Sequence, residues 1–331
     1  MSGSPRRGSC DVRPTARAVA AVVACVLAFA QAPPSAFAQA PAAASRPMAD
    51  GEAEARKREA LSQDEGIAVP KRSRIASLAN AQRIEAQAVA QYGQLLKQAA
   101  AQGALAPADY PPRQRLEQIA RRLVPHTRRF SERSDDWRWE VNLLGSKQVN
   151  AFVMPGGKIA FYTGIIDRLR LTDDEIAMIM GHEMAHALLE HGREREGQAR
   201  LAQIATVGAS VFSQILGYGD LGGQLASGAS QLTLLKFSRG DEAEADLVGM
   251  DVAARAGYDP RAAVKLWQKM SALGGGQGQP PQFLSTHPAH ATRIDTIRAA
   301  LPKVMPLYAR AKGVAPDAIP PYASNWGEPV K

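Results

Sequence analysis

The chain has 331 residues, of which 45% are hydrophobic and 22% are charged. This length suffices for one large globular domain or two small ones, each burying a core. The formal net charge is +8, but no dense stripe of Lys and Arg is present, so we expect no nucleic acid partner.

Residues 1–38 are typical of a secretory signal. Basic residues precede an apolar run at residues 18–30, and a small-x-small cleavage site ends at Ala38. The run is too short to span a bilayer, so we expect export to the periplasm of a Gram-negative-type cell. A lipoprotein site at Cys25 is an alternative, although the apolar run continues beyond it. Both cysteines, Cys10 and Cys25, lie in this segment, so the exported chain would have no disulfide and no Cys metal ligand.

The remainder divides into a linker, a folded domain and a tail. Residues 39–79 are rich in Ala and Pro and then in mixed charges, which predicts a flexible linker. We expect a domain at residues 80–305 and a Pro-rich C-terminal tail at residues 306–331. Residues 201–235 carry one charge and many glycines. They predict one or two buried helices, or alternatively a hairpin that contacts a membrane.

The first half of the domain begins with helices and then changes to strands. A helix is predicted over residues 81–101, and Pro112 can open a second whose apolar face is Leu116, Ile119 and Leu123. Alternating residues at 137–143 predict a half-buried strand. Residues 148–153 and 158–162 flank a Pro-Gly-Gly turn and predict a hairpin or two adjacent strands.

The second half is predicted to be helical, which makes the fold α+β and mostly helical, with a small mixed β-sheet. Thr172 and Glu175 form a capping box that opens a helix running to about His191 and ending at Gly192. Further helices are expected from Ser238, from Asp259 and over roughly residues 289–300.

A metal-binding motif lies within the helix that begins at Thr172. His182 and His186, with Glu183 beside the first, form the H-E-x-x-H pattern. Positions i and i+4 share a helix face, so both imidazoles can bind one zinc ion, and Glu183 can act as general base toward a water on the metal. The flanking residues are apolar, and buried polar groups there would be costly unless they bound something. The motif therefore predicts a zincin-like metallopeptidase with one Zn²⁺ per chain.

A catalytic zinc usually has a third protein ligand. The candidates are His191, Glu190, Glu242, Glu244, Asp246, His287 and His290. Glu190 and His191 would lie too far along a continuous helix and are expected to be solvated. Glu242 and Asp246 share one helix face, so Glu242 can bind zinc while Asp246 accepts the free N–H of a ligand histidine. Glu244 points about 200° away and is expected to be solvated.

Four blocks together resemble one family of zinc metallopeptidases. They are Val149–Phe152 with Pro155–Gly157, Gly181–His186, Ser238–Asp246, and Ser285–Pro288 with Arg293. The family includes the CAAX prenyl protease, the OMA-type mitochondrial peptidase and bacterial outer-membrane-assembly peptidases (family M48). The resemblance covers roughly residues 80–305.

The resemblance implies roles for individual residues. It implies that Glu242 is the third ligand and Asp246 the partner of His182. It also implies that the segment Asn150, Ala151 and Phe152 belongs to an edge strand that pairs with extended substrate. His287 and Arg293 would stabilise the oxyanion of the transition state; in some bacterial relatives the equivalent histidine instead caps the zinc.

The predicted function is that of a zinc-dependent endopeptidase in periplasmic protein quality control. Its partners would be unfolded or misfolded envelope proteins, and membrane association is left open. The rival from another class is a holdase or assembly factor whose proteolysis is latent. A structural zinc protein is disfavoured, because three ligands leave an open position, whereas structural zinc is normally closed by four. A permanently bound His287 would weaken this argument, because it would be the fourth ligand.

Overall fold

The computed structural model describes residues 65–199, 237–274, 281–288, 291–327 and 330. The predicted signal and the segment 201–235 lie outside these residues. The fold is α+β and mostly helical, as predicted. The elements are α1 (Ala81–Ala101), α2 (Pro111–Leu123), β1 (Glu140–Leu144), β2 (Ala151–Met154), β3 (Lys158–Tyr162), α3 (Thr163–Leu169), α4 (Asp173–Leu188), α5 (Arg239–Arg255), α6 (Ala262–Gly274), α7 (Gln282–Thr286) and α8 (Ala291–Lys312).

The three strands form one small mixed sheet in the order β1-β3-β2. β1 runs parallel to β3, with Val141 opposite Ile159, and β2 runs antiparallel to β3. The predicted hairpin is confirmed. Its turn needs two glycines, because Gly156 and Gly157 have φ values of 84° and 75°, in the left-handed region that side chains disfavour.

The prediction that β1 is half-buried is wrong, because helices cover both faces of the sheet. Every residue of β1 except Glu140 is buried. Val141 and Leu143 join the main core with α2, whereas Leu144 packs in a second cluster with Tyr92 of α1. Asn142 is buried too, and its amide donates to Tyr92 Oη at 3.0 Å. Asn142 is polar but buried, because its hydrogen bond satisfies the amide. The sequence of β1 therefore alternates between polar and apolar residues as a half-exposed strand does, although both faces are covered.

Helix α4 runs through the centre of the core. Thr172 and Glu175 form the predicted capping box at its start. Its predicted end near His191 is wrong, because the helix stops at Leu188 and Glu190 takes a φ of 62°. The chain is helical again over residues 191–199. The left-handed region costs a non-glycine residue about 1–3 kcal/mol, and Glu190 is held there by Arg193, whose Nη1 donates to it at 2.8 Å.

Helices α4 and α5 cross backbone to backbone at two glycines. A Cβ placed on Gly181 would lie 2.7 Å from Gly249 O, and one on Gly249 would lie 2.6 Å from His182 N. Only glycine permits this approach. The crossing brings the N-terminal half of α5 against the motif helix.

The domain is longer than predicted at both ends. Within the predicted linker, Ile67 is buried in the core and its N–H donates to Asp251 Oδ2 at 2.8 Å. Within the predicted tail, α8 continues to Lys312 although Pro302 and Pro306 lie inside it. The two prolines are four residues apart on the exposed side, so Leu307 still packs into the core.

The last described segment also packs on the domain. Tyr322 Oη lies 3.0 Å from Thr172 Oγ1, and Ser324 Oγ donates to Glu175 Oε1 at 2.8 Å. It therefore supports the cap of α4. Among the helices of the described ranges, none is both long and apolar enough to cross a bilayer.

Candidate metal centre

Three elements bring four potential metal ligands together. Helix α4 supplies His182 and His186, α5 supplies Glu242, and His287 follows α7. All four side chains are buried, and one ligand atom from each lies within 4.8 Å of the others. The group can hold a metal ion.

The distances within this group fit a tetrahedral ion. His182 Nε2 lies 3.1 Å from His186 Nε2 and 3.3 Å from His287 Nδ1. Glu242 Oε1 lies 2.9 Å from His287 Nδ1 and 3.6 Å from His186 Nε2, and Glu242 Oε2 lies 3.5 Å from His182 Nε2. Ligand atoms bound tetrahedrally at zinc lie about 3.3 Å apart, given bond lengths near 2.0–2.1 Å. Two imidazoles and a carboxylate at these separations are a donor set suited to Zn²⁺.

The protonation of these groups also suits a cation. Burial lowers the pKa of His186 well below its usual value, and the neighbouring His182 and His287 lower it further. His186 is therefore neutral and has a lone pair to offer. For Glu242, burial alone would raise the pKa, but the hydrogen bond from His287 and the charges of His182 and Arg293 lower it overall. The carboxylate stays ionised.

Two buried carboxylate oxygens lack a hydrogen-bond partner among the described residues. They are Glu183 Oε1 and Glu242 Oε2. Arg293 Nη1 lies 2.7 Å from Glu242 Oε2, but without the angles of a hydrogen bond. Unsatisfied buried oxygens are costly, so Glu183 Oε1 is placed to receive a proton, whereas Glu242 Oε2 already faces the charge of Arg293.

Glu183 is buried beside the group without belonging to it. Its Oε1 lies 3.5 Å from His287 Nε2. Burial raises the pKa of Glu183, and the nearby His287 and His182 oppose this rise. A carboxyl with a raised pKa is a stronger base than an ordinary glutamate, as general-base catalysis requires.

Asp246 and Arg293 contact His182 on the Nδ1 side of its ring. Asp246 Oδ1 lies 3.0 Å from His182 Nδ1 and accepts from Arg293 Nη2 at 2.8 Å. A second hydrogen bond joins Arg293 Nε to Asp246 Oδ2. Burial would raise the pKa of Asp246, but Arg293 and His182 lower it. The ionised carboxylate holds the N–H of His182 at Nδ1 and leaves Nε2 for a metal.

Arg293 also packs on an aromatic ring, since its Cζ lies 3.4 Å from the centroid of Trp267. No pattern in the sequence indicated Trp267. The guanidinium is thus fixed by Asp246 and Trp267, and the oxyanion role of Arg293 stays a prediction.

The imidazole of His287 lies against the other metal-ligand side chains, His182 and Glu242. Its ring stacks on Phe283 with centroids 4.7 Å apart and on Phe237 at 5.3 Å. Burial lowers the pKa of His287, but the carboxylates of Glu183 and Glu242 outweigh it and raise the pKa overall. This position is compatible with both of the predicted roles, a cap on the metal and a catalytic group.

The expectation that Glu190 and His191 are solvated is wrong. Glu190 is 9% exposed and His191 only 3%. Because α4 breaks at Leu189, His191 turns back and its Nδ1 lies 2.9 Å from His186 Nδ1. Neither Gly nor Pro stands at the break itself, and Gly192 indicated an end two residues too late.

The predicted edge-strand residues lie at the border of the sheet. Ala151 and Phe152 belong to β2, and Asn150 immediately precedes it. β2 is the outer strand next to β3 and packs against α4. A cavity lined by both Val153 and His186 connects this strand with the ligand group. Substrate pairing along β2 stays a prediction.

The model of peptidase family M48 matches residues 112–301, more than half of the chain. The mitochondrial metalloendopeptidase OMA1 of Schizosaccharomyces pombe is 36% identical over 169 residues, which cover 51% of this chain and 48% of the relative. The mitochondrial metalloendopeptidase OMA1 of Homo sapiens is 33% identical over 175 residues, covering 50% and 33%.

A bacterial relative is similar to the same extent. The beta-barrel assembly-enhancing protease of Yersinia pestis is 33% identical over 165 residues, which cover 47% of this chain and 33% of the relative. The matched part thus spans about a third to a half of these curated relatives. The family match includes every residue of the ligand group and both of its supports, Asp246 and Arg293. The chain belongs to peptidase family M48.

Proposed function

We propose that this chain is a zinc-dependent endopeptidase whose metal is held by His182, His186 and Glu242. The observation that carries the proposal is the buried group of four donors within 4.8 Å of one another, with the carboxylate of Glu183 beside it. The relatives named metalloendopeptidases and the family match support the same activity.

Each residue of the site has a separate role in the proposed hydrolysis. Bound zinc supplies a Lewis acid that polarises a peptide carbonyl and lowers the pKa of a water to about 7. Glu183 Oε1, buried and without a hydrogen-bond partner among the described residues, takes up the proton of the attacking water. The protonated Glu183 then delivers it to the leaving amine. Asp246 keeps the proton of His182 on Nδ1 throughout.

We infer that His287 closes the fourth position in the resting state. Its Nδ1 is 2.9 Å from Glu242 Oε1 and 3.3 Å from His182 Nε2. A protonated Nδ1 donates to Glu242, whereas a deprotonated Nδ1 at these separations can act as a fourth ligand. Substrate entry would then require His287 to move. In the alternative catalytic role, His287 would turn Nε2 toward the oxyanion together with Arg293, which would have to loosen its bonds to Asp246.

The substrates follow from the edge strand and from the predicted export. An extended segment can pair with the outer edge of β2, which no strand of the described residues occupies, and only unfolded or exposed segments offer such backbone. With the predicted signal at residues 1–38, this indicates misfolded or unassembled envelope proteins in the periplasm. One relative is named a beta-barrel assembly-enhancing protease, in keeping with this role; the OMA1 relatives are mitochondrial.

The proposal is tested by comparing the chain with its Glu183→Gln variant, using unfolded casein as substrate. The variant should bind zinc normally and cleave about 10²–10⁴-fold more slowly, the usual contribution of a general base. Cleavage that survives the substitution would overturn the mechanism. If Glu183→Gln also retains full biological activity in the producing cell, the rival holdase is favoured.

A further inference from the structure

His191 reaches the metal centre only because the motif helix breaks. In a continuous helix, a residue five positions after His186 would point roughly 140° away from it. Instead α4 ends at Leu188, Glu190 adopts a φ of 62°, and the helical residues 191–199 start in a new direction. Arg193, three residues after Glu190, stabilises this turn by donating a hydrogen bond to Glu190 Oε2.

The two rings of His186 and His191 are joined through their Nδ1 atoms, which lie 2.9 Å apart. The other nitrogen of His191, Nε2, lies 3.4 Å from Glu244 Oε2. The His191 ring is 3% exposed, whereas the Glu244 side chain is 45% exposed. The contacts thus form a line from the buried ligand group to the surface of α5.

The direction of these hydrogen bonds follows from the ligand role of His186. Its Nε2 faces the other donors, 3.1 Å from His182 Nε2, so a metal would use the lone pair on that atom. The proton of neutral His186 is then on Nδ1, which donates to Nδ1 of His191. His191 in turn carries its proton on Nε2, directed at the carboxylate of Glu244.

We propose that His191 is a positioning residue that fixes the tautomer and ring orientation of the metal ligand His186 by accepting its Nδ1–H. His182 has the equivalent support from Asp246. The inference rests on the proposed zinc site and extends it, because it assigns a partner to the second ligand histidine. Glu244, placed on the far side of His191, anchors that partner.

The test exploits the different reach of two amides. Asn at position 191 places an oxygen near the location of Nδ1, whereas Gln places its amide near the location of Nε2. We would prepare the full chain and its His191→Asn, His191→Gln and His191→Leu variants. The matched control is His126→Asn, since His126 is half-buried beside Arg255 and Asp251, away from the ligand group.

The first readout is the zinc dissociation constant, measured by competition with a chelator. His191→Gln and His191→Leu should bind zinc about 10–100-fold more weakly, the usual effect of losing such a partner. His191→Asn should retain most of the affinity, and His126→Asn all of it. If His191→Leu does not fold, the difference in zinc affinity between His191→Asn and His191→Gln tests the inference.

The second readout is the visible spectrum of the cobalt-loaded protein. At saturating cobalt the His191→Gln variant should keep the tetrahedral spectrum of the unmodified chain, because His191 supports a ligand and is not one itself. Equal zinc affinity of His191→Gln and the unmodified chain, or a changed cobalt spectrum, would overturn the inference while leaving the zinc site intact. If the unmodified chain binds zinc no better than His182→Ala, the proposed function fails and this inference fails with it.

Discussion

The crossing of α4 and α5 at Gly181 and Gly249 predicts that a single methyl group will disturb the metal site. A Cβ on Gly249 would lie 2.6 Å from His182 N, 2.7 Å from Gly181 C and 3.0 Å from Gly181 O. All three are backbone atoms, so no side chain can rotate to make room. The helices must separate by roughly 1 Å before the contact becomes an ordinary one.

This separation acts directly on the ligands, because α4 carries both histidines and α5 carries Glu242. Glu242 Oε2 lies 3.5 Å from His182 Nε2, and Glu242 Oε1 lies 3.6 Å from His186 Nε2. Both distances already exceed the separation of about 3.3 Å between ligand atoms bound tetrahedrally at zinc. We expect Gly249→Ala to lower the free energy of unfolding by about 1–3 kcal/mol, as overpacking does. We also expect zinc affinity to fall about tenfold or more, as it does when ligand support is disturbed.

The assay combines urea unfolding of the metal-free protein with zinc titration. The control is Gly93→Ala, since a Cβ on Gly93 in α1 meets nothing within 4 Å. That variant should gain up to about 1 kcal/mol from helix propensity. If Gly249→Ala is as stable as Gly93→Ala and binds zinc as well as the unmodified chain, the argument from the helix crossing is wrong.

Three further predictions concern single side chains. Burial raises the pKa of Asp174 above its usual value. The stabilisation from protonated Asp174 is therefore full below the pKa of the unfolded chain and is lost as pH rises through the higher pKa of the folded chain. Asp174→Asn should flatten the pH dependence of the free energy of unfolding in that pH range, measured with urea. An unchanged pH dependence would refute the role of Asp174. His287→Ala should raise the rate of casein cleavage if His287 caps the metal, and an inactive variant that still binds zinc would make it catalytic instead. Asp246→Ala removes both hydrogen bonds that Asp246 accepts from the buried Arg293 and leaves Glu242 Oε2 at 2.7 Å as its remaining carboxylate partner. Urea unfolding should therefore show a loss of about 1.5–3 kcal/mol, and a loss below about 0.5 kcal/mol would contradict the pairing.

The sequence was most informative where one local rule acts alone. The H-E-x-x-H spacing required a helix, the capping boxes at Thr172 and Ser238 located two helix starts, and the two glycines after Pro155 located the hairpin. The grouping of Glu242 with the histidines could be anticipated, because a catalytic zinc needs a third ligand.

Other features depend on tertiary contacts that no local pattern carries. The break at Glu190 occurs at a residue with no turn preference and is supported by Arg193, so His191 looked solvated. The helix α8 continues through two prolines because the packing of Val304 and Leu307 in the core offsets their cost. The close passage of α4 and α5 depends on Gly249, which within its helix resembles any other small residue.

The central claim is that cleavage by this chain depends on one metal ion held by the buried group. The most direct measurement determines bound zinc per chain and casein cleavage before chelation, after chelation, and after zinc is restored. We predict one zinc per chain, loss of cleavage with the metal and its recovery on restoration, and normal zinc content but no recovery in Glu183→Gln. Cleavage that persists in the zinc-free protein, or a chain that binds no zinc, would contradict the account.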